Sequence, residues 1–566
     1  MESEKAVSER FDGEMVLAQY PRLLRSLLLA RGITTEEAAE LFLKPDYERD
    51  LHDPFLMQDM ERAVARILGA MRSEETIVVY SDYDCDGIPG GVILHDFFKR
   101  VGYSRFTNYI PHRHREGYGL NSTALEGFAE SGASLLITVD CGTTDIEAIA
   151  RAREIGIDVI VTDHHLPGEA GLPDAYAVLN PHREGETYPF RELCGSGLAF
   201  KLVQGLMARG NFNVPAGWEK WLLDMAGLGT LADMVPLLGE NRALAHFGLV
   251  VLRRSPRLGL QKLCRRMKVK QNELTEDDVG FMLVPRINAA SRMDAPMDAF
   301  RLLTTHDETT ADELSEHLDR INDERKGVVA SMVKEIRKRM EDRAVSGVIV
   351  MGDPRWKPAL LGLAANTLAE EYARPVFLWG READLTIKGS CRSDGSVNVV
   401  ELMRARSDLF LDFGGHQFSG GFSVVQEKVH LLEVHLVEAL ALSVRVEIPL
   451  SAPHDGELSL ADVTWETYRQ IASLSPFGKG NPKPVFRFPK VVIAEVRQFG
   501  KEQKHLELRF AHGGRSISAI GFFMKPEDFI FPLVAGNQVD LTATIERSTF
   551  RHFPELRLRI VGLEFR

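Results

Sequence analysis

Three apolar runs in this chain stop abruptly in carboxylates. They are 76–82, leading into Asp82-Tyr83-Asp84-Cys85-Asp86-Gly87; 134–140, ending in Asp140; and 158–163, leading into Asp163-His164-His165. Strands that finish in hard oxygen and imidazole ligands place them at one rim of a sheet, where open α/β sheets bind their ligands. Asp82, Asp84 and Asp86 alternate, so extended backbone points all three the same way, which like charges do not tolerate without a cation. Gly87, Gly90 and Gly91 then open a helix whose N–H groups suit a phosphate oxygen. Two adjacent imidazoles after an apolar strand are costly to bury unless they bind or protonate something. Asp233 adds a lone carboxylate inside the apolar run 228–236.

Each segment alone has a plainer explanation: a solvated acidic turn at 82–87, a helix cap at Asp140, a hydrogen-bonded structural Asp at 233. Together they meet a more demanding requirement. Two divalent ions about 3.5–4 Å apart need one carboxylate between them and others outside, and they acidify a water while clamping phosphate oxygens. The constellation reads as a two-metal site for cutting phosphodiester bonds, with Mg²⁺ or Mn²⁺ favoured by the oxygen ligands.

The elements that must position these residues alternate. Expected strands at 76–82, 134–140, 158–163 and 175–180 are interleaved with helical periodicity at 91–100 and 144–156, the pattern of parallel strands with crossover helices. Residues 1–70 read as helical, without identifiable chemistry. Leu314, Leu318, Ile321, Val328, Met332, Ile336 and Met340 make an apolar stripe over 307–342. That stripe fits a rod strapping two lobes together, or equally an ordinary helix broken near Gly327. A second αβ region has strands at 347–351 and 375–379 around a helix at 359–372. Short strands at 491–499, 505–510, 539–545 and 556–561 suggest a small barrel.

At 566 residues the chain is too long for one core. Its N-terminus lacks the apolar stretch of a signal peptide and no run is long enough for a membrane helix, so a cytoplasmic protein without membrane attachment is expected. Five cysteines without a CxxC pair suit a reducing compartment and give no support for structural zinc. The net charge of −13 excludes a uniformly basic nucleic-acid binder. From Pro484 to Arg566, however, 13 Lys+Arg stand against 9 Asp+Glu, so charge is segregated. There Arg487, Lys490, Arg497, Lys501, Lys504, Arg509 and Arg515 interleave with Phe486, Phe488, Phe499 and Phe510, as single-strand binding uses. Core phenylalanines with solvated cations would give the same string.

The motifs DYDCDG at 82–87, VDCG at 139–142, TDHH at 162–165 and GTLADMVP at 229–236 resemble the DHH phosphoesterase superfamily, and within it the RecJ single-strand-specific exonucleases. YIPHRHREGYGLN at 109–121, PRINAASRMD at 285–294 and INDERK at 321–326 fit the same family. GSCRS at 389–393 and FGGHQFSGGF at 413–422 resemble the DHH-associated domain, and PFGKGNPKPVF at 476–486 the entry to an oligonucleotide-binding (OB) barrel. The implied α/β architecture is a helical segment 1–70, a parallel-sheet DHH domain 71–255, a helical connector 256–342, an α/β DHH-associated substrate domain 343–445, and an all-β OB barrel 446–566.

The resemblance implies that Asp82, Asp84, Asp86, Asp140, His164 and Asp233 hold two Mn²⁺ or Mg²⁺ ions, with Asp140 bridging. His165 would contact the scissile phosphate, so that His165, Asp140 and Asp84 form the catalytic set. Arg113, Ser390 and Arg392 would approach a 5′-phosphate, and Gly414, Gly415 and His416 would grip the strand. Arg286, Asn288 and Arg292 are counted with these nucleic-acid contacts, each Arg having a surface salt bridge as its plainer role. The implied activity is 5′-to-3′ exonucleolysis of single-stranded DNA to 5′-mononucleotides in repair and recombination. A helicase and a single-stranded-DNA-binding protein are the partners such an activity draws on, and the chain is expected to be a monomer. Alternatives are a small-substrate phosphoesterase, acting on nano-RNA, cyclic dinucleotide or pyrophosphate, and a non-catalytic single-strand-binding scaffold. Three departures from the family pattern stand out: Pro89-Gly90 after the first motif, Ser291 where glycine is usual, and Lys357 where histidine is common.

Overall fold

The computed structural model describes residues 16–341, 343, 346–381, 386–443, 454–500, 503–551 and 553–565. Lys501, residues 1–15 of the expected helical segment, residue 342 and the expected boundary at 445/446 lie outside them. The chain forms two compact units. The described residues up to Leu51, Pro236–His246 and those from 454 onward make one; His52–Val235 and the residues from Phe247 to 443 make the other.

In the second of these, strands β1 (Thr76–Ser81), β2 (Phe106–Tyr109), β3 (Ala133–Val139), β4 (Asp158–Thr162) and β5 (Ala177–Leu179) form one parallel sheet in the order β2-β1-β3-β4-β5. β1, β3 and β4 are buried along nearly their whole length, which is why they read as continuous Val/Ile/Leu runs. The order reverses between β1 and β3, which opens a crevice at their C-terminal ends. Asp82, Asp140 and Asp163 each lie one residue beyond their strand, in the loops at that crevice. The helix after the first loop, Gly87–Arg100, starts four residues before the expected 91. Pro89 is accommodated in its first turn, where N–H groups have no intrahelical acceptor.

The connecting helix Glu308–Glu341 runs unbroken through Gly327, the rod-like of the two expected forms. Its first half is tied to the helices of the first lobe, with Arg286 Nε donating to Asp319 at 2.8 Å and Arg266 Nε to Ser315 Oγ at 3.0 Å. Its second half sinks Met332, Val333, Ile336 and Met340 into the core of the second lobe against Leu360, Leu361 and Leu368. Val328, expected in the stripe, is exposed. The second lobe is a mixed sheet of β6 (Ile349–Gly352), β7 (Val376–Arg381), β8 (Ile387–Arg392), β9 (Asp412–His416) and β10 (Ser419–Val424), ordered β6-β7-β8-β10-β9, with helix Pro358–Tyr372 packed on it.

In the other unit, β11 (Gly456–Glu457), β12 (Phe486–Phe499), β13 (His505–His512), β14 (Arg515–Gly521), β15 (Gln538–Arg551) and β16 (Phe553–Phe565) are ordered β11-β12-β13-β14-β16-β15. An additional β12–β15 pairing closes the barrel. The expectation that its phenylalanines meet bases is overturned for three of four. Phe486, Phe488 and Phe510 are fully buried, because inward-facing positions of a small barrel must fill it. Their charged neighbours are partly neutralised, with Arg487 on Glu457 at 2.6 Å and Arg509 on Glu507 at 3.1 Å.

Helices Arg22–Ala30 and Glu36–Leu43 place Leu24, Leu27, Leu28 and Ala39 in this same barrel core, and Arg31 Nε donates to Asn481 Oδ1 at 2.8 Å. Truncation at about 450 would therefore strip the apolar faces of the first helices, so point substitutions are the cleaner probe of the barrel. No helix among the described residues is long and apolar enough to cross a membrane.

Candidate metal centre

The crevice gathers the carboxylates, and neighbouring helix N-termini hold them. Asp84 Oδ1 accepts from the N–H groups of Asp86 at 2.7 Å and Gly87 at 3.2 Å. Asp86 is buried, its two oxygens accepting from Gly195 N–H at 2.6 Å and Ser196 N–H at 2.8 Å at the start of helix Gly195–Arg209. Those N–H groups have no intrahelical acceptor, so the helix end orients the carboxylate and stabilises its charge.

Asp140 sits in the left-handed region at φ +63, with its N–H bonded to Thr162 O at 2.9 Å. Asp233 follows helix Leu223–Ala232. His164 Nε2 lies 3.2 Å from Asp140, 3.7 Å from Asp233 and 3.9 Å from Asp86. Three sets of ligand atoms each fall within 4.8 Å: Asp82, Asp84 and Asp140; Asp86, His164 and Asp233; and Asp140, His164 and His165.

Burial, reinforced by Asp84, pushes the Asp82 carboxyl well up; burial, with Asp86, Asp84, Asp82 and Asp233 facing it, does the same to Asp140. Asp82 Oδ1 and Asp140 Oδ1 are buried without a hydrogen-bond partner among the described residues. Burial lowers the His164 imidazole against the pull of these carboxylates, leaving it neutral as a ligand nitrogen must be. Buried, mutually repelling oxygens around a neutral imidazole are the donor set divalent cations require, so the residues fit such ions.

His165 is held differently. Its Nδ1 lies 2.7 Å from Asp163 Oδ1, while Asp163 Oδ2 accepts from Thr143 N–H at 2.9 Å. Burial opposes charge on His165, but the Asp163 hydrogen bond and charge outweigh it and push the imidazolium up to about 9. Burial also opposes ionisation of Asp163, yet His165 and Thr143 hold it below the usual carboxylate range. Tyr118 joins them, its hydroxyl 3.2 Å from both Asp140 O and His165 Nδ1.

The expected phosphate contacts divide. Arg292 Nη1 donates to Ala359 O at 2.6 Å, and burial together with Arg113, Arg325 and Arg392 pushes it down to about 9, with Asp84 opposing. Arg113 lies over the Tyr83 ring at 4.7 Å. Arg392 Nη1 donates to Ser390 Oγ at 3.1 Å, and Gly362 of the packed helix leaves them room, since a Cβ there would come within 2.7 Å of Arg392 Nη2.

Asn288 Oδ1 accepts from Cys85 N–H at 2.9 Å and so fixes the first loop. Ser291 is buried and bonds Asn288 O at 3.2 Å, which absorbs its departure from glycine. Arg286 is turned into its ion pair with Asp319. Gly414, Gly415 and His416 lie exposed on the edge strand β9. Lys357 is exposed just before helix Pro358–Tyr372.

Sequence reasoning missed Asp163 as the partner of His165, Tyr118, and the Gly195-Ser196 cradle. Cys194-Gly195-Ser196-Gly197 opening a helix was the available signal for the cradle.

Three family models match the chain: "DHH family, N-terminal domain" over 76–230, "DHHA1 domain" over 344–440 and "RecJ OB domain" over 454–562. The single-stranded-DNA-specific exonuclease RecJ of Haemophilus influenzae is 30% identical over 562 residues, covering 96% of each chain. That of Bacillus subtilis is 37% identical over 505 residues, 88% of this chain but only 63% of the relative's own length. The crystal structure of RecJ from Thermus thermophilus in complex with Mn²⁺ superposes with a TM-score of 0.77 at 28% identity, covering 96% of this chain and 76% of that one. The same protein with Mg²⁺ gives 0.73 at 26% identity, covering 96% and 75%. With its motif carboxylates gathered at one crevice and full-length relatives at this identity, the chain belongs to the RecJ family.

Proposed function

We infer that the chain is a divalent-metal-dependent hydrolase, an exonuclease that degrades single-stranded DNA. It acts from the 5′ end and releases 5′-mononucleotides, in repair and recombination, with a helicase and a single-stranded-DNA-binding protein supplying the strand. The observation that carries the reading is the adjacency of two groups: buried Asp82 and Asp140 oxygens without a hydrogen-bond partner among the described residues, and Arg113, whose guanidinium lies 4.7 Å over the ring of Tyr83 between Asp82 and Asp84 and which bears electrostatically on Arg292 as Arg392 does. One binds cations and the other a phosphate, so a terminal phosphate and the next phosphodiester can be held together.

Asp82, Asp84, Asp86, Asp140, His164 and Asp233 would hold the ions. Bound divalent cations supply the positive charge that draws in phosphate oxygens and acidifies a water nucleophile. Asp163 accepts a hydrogen bond from His165 Nδ1–H, which leaves Nε2–H free to donate to a phosphate oxygen or the departing oxygen. The Tyr118 hydroxyl meets the same Nδ1 at 3.2 Å. Arg392 and Ser390 orient the terminal phosphate, and entry is restricted to a strand whose end reaches both lobes.

Single strands labelled at the 5′ or the 3′ end and incubated with Mn²⁺ test this. Immediate release of 5′-labelled mononucleotide supports it; release from the 3′ end, or cleavage of cyclic dinucleotide but not DNA, refutes it. Arg392→Ala is expected to raise KM for a 5′-phosphorylated strand about tenfold, the cost of one charge-assisted hydrogen bond. Its preference for a 5′-phosphate over a 5′-hydroxyl should disappear in steady-state kinetics on the two substrates.

A further inference from the structure

A cavity of about 230 Å³ opens between the two lobes of the unit that carries the metal centre. His114 and Met293 line it from the first lobe, and Trp356, Lys357, Pro358 and Arg381 from the second. Arg355 also faces it, with its charge taken up by Asp353 at 2.8 Å and Glu335 at 3.3 Å. No carboxylate is among the lining residues, and two of the cations are left uncompensated. Lys357, which departs from the family pattern, is exposed and meets no carboxylate among the described residues. Arg381 Nη2 donates to the neutral Gln426 Oε1 at 2.9 Å, while its Nε is buried without a hydrogen-bond partner among the described residues. A buried donor left unsatisfied costs free energy that an anionic acceptor recovers. Helix Pro358–Tyr372 begins at the same wall and adds the positive end of its dipole.

The cavity adjoins the residues assigned to the terminal phosphate without including them. His114 Nε2 donates to Arg292 O at 3.0 Å, and Arg292 Nη1 reaches Ala359 O, next to Pro358, at 2.6 Å. None of Arg113, Arg292, Ser390 and Arg392 lines it.

We propose that this cavity is a second phosphate site, which takes a released 5′-mononucleotide. The phosphate lies between Lys357 and Arg381, and the nucleoside rests against Met293, Trp356 and Pro358. The choice of ligand rests on the strand-degrading reading above; the cavity does not. Two uncompensated cations match the two charges of a phosphate monoester, where a carboxylate would neutralise only one. The apolar wall is surface that a bare phosphate would leave uncovered. An occupant touching both lobes adds a link between them and shifts them toward the arrangement in which Arg292 clasps Ala359 O. Free mononucleotide should therefore slow turnover without displacing the strand.

Calorimetric titration of thymidine 5′-monophosphate (dTMP) into the full chain in EDTA should reveal two sites, one at Arg392 and one here. Lys357→Ala and Arg381→Gln each remove one charge-assisted contact, and each should weaken the second site about 10- to 100-fold while sparing the first. Arg392→Ala should do the reverse. Thymidine should not bind, and inorganic phosphate should bind more weakly than dTMP. With Mn²⁺ and saturating strand, added dTMP should lower the parent's kcat. Lys357→Ala should escape that inhibition, with kcat and KM in the absence of dTMP equal to the parent's.

A single dTMP site lost in Arg392→Ala, or two sites indifferent to Lys357→Ala and Arg381→Gln, overturns the proposal. So does phosphate binding as tightly as dTMP. Inhibition that saturating strand abolishes also overturns it, since the nucleotide would then lie in the strand's own path. A chain that binds dTMP through Lys357 yet fails to cut DNA refutes the catalytic reading and leaves the site standing; a chain that cuts without Lys357-dependent binding does the reverse.

Discussion

Asp140→Asn is expected to lower kcat roughly 1,000-fold or more and, in EDTA, to raise the melting temperature. Both effects come from one geometry. Asp140 faces Asp82, Asp84, Asp86 and Asp233, and its buried Oδ1 lies 3.2 Å from His164 Nε2 without a hydrogen-bond partner among the described residues. With cations bound, that carboxylate would be among their ligands, and losing it would remove several kcal/mol of transition-state stabilisation, at about 1.36 kcal/mol per tenfold. Without cations the same carboxylate is a like charge buried among others, and a neutral amide of equal size relieves the repulsion. Mn²⁺ should therefore stabilise the parent chain strongly and the variant weakly, which thermal melts with and without metal will read directly. An Asn variant that turns over at the parent rate removes Asp140 from the centre.

Gly195→Ala is expected to cost about 100-fold in activity through a single methyl group. A Cβ there would stand 2.5 Å from Asp140 Cβ and 2.7 Å from its Oδ1. Asp140 has little room to yield, since its left-handed backbone is pinned to Thr162 O. Moving the helix instead would disturb Asp86, which that helix holds through Gly195 and Ser196. Either way a ligand moves by a fraction of an ångström to an ångström, enough for the stated loss. Stability should fall by about 1–3 kcal/mol from overpacking. Gly205→Ala, in the same helix but facing Val64 at 3.0 Å and Met60 sulfur at 3.3 Å, is the control: it should cost stability and spare kcat and Mn²⁺ affinity.

The sheet and its acidic rim were legible because buried parallel strands are written as unbroken apolar runs, and a run that ends in Asp announces the rim. What the string could not separate was role among identical residues. Asp163 looks like Asp82 or Asp140 in sequence, yet it faces Thr143 and His165 and serves to orient. Arg286 looks like Arg292, yet one pairs with Asp319 and the other donates to Ala359 O at 2.6 Å among further guanidiniums.

β8, β9 and β10 were hidden because Gly-rich segments lack the β-branched alternation that marks a strand. The barrel phenylalanines failed for a different reason. Alternation tells which rings share a face, but without register it cannot say which face turns inward. Domain boundaries at 70/71, 255/256, 342/343 and 445/446 remain the proposed division of the chain.

The sharing of one core by the first helices and the barrel carries a consequence for how the protein is made. Leu24, Leu27, Leu28 and Ala39 leave the ribosome well before the strands that cover them. Roughly 400 residues separate the two segments. At about 5–20 residues per second the early helices wait on the order of 20–80 s with their apolar faces uncovered. The metal-binding lobes can complete their own cores in that interval. The barrel core can therefore close only after both lobes between its two parts have been made.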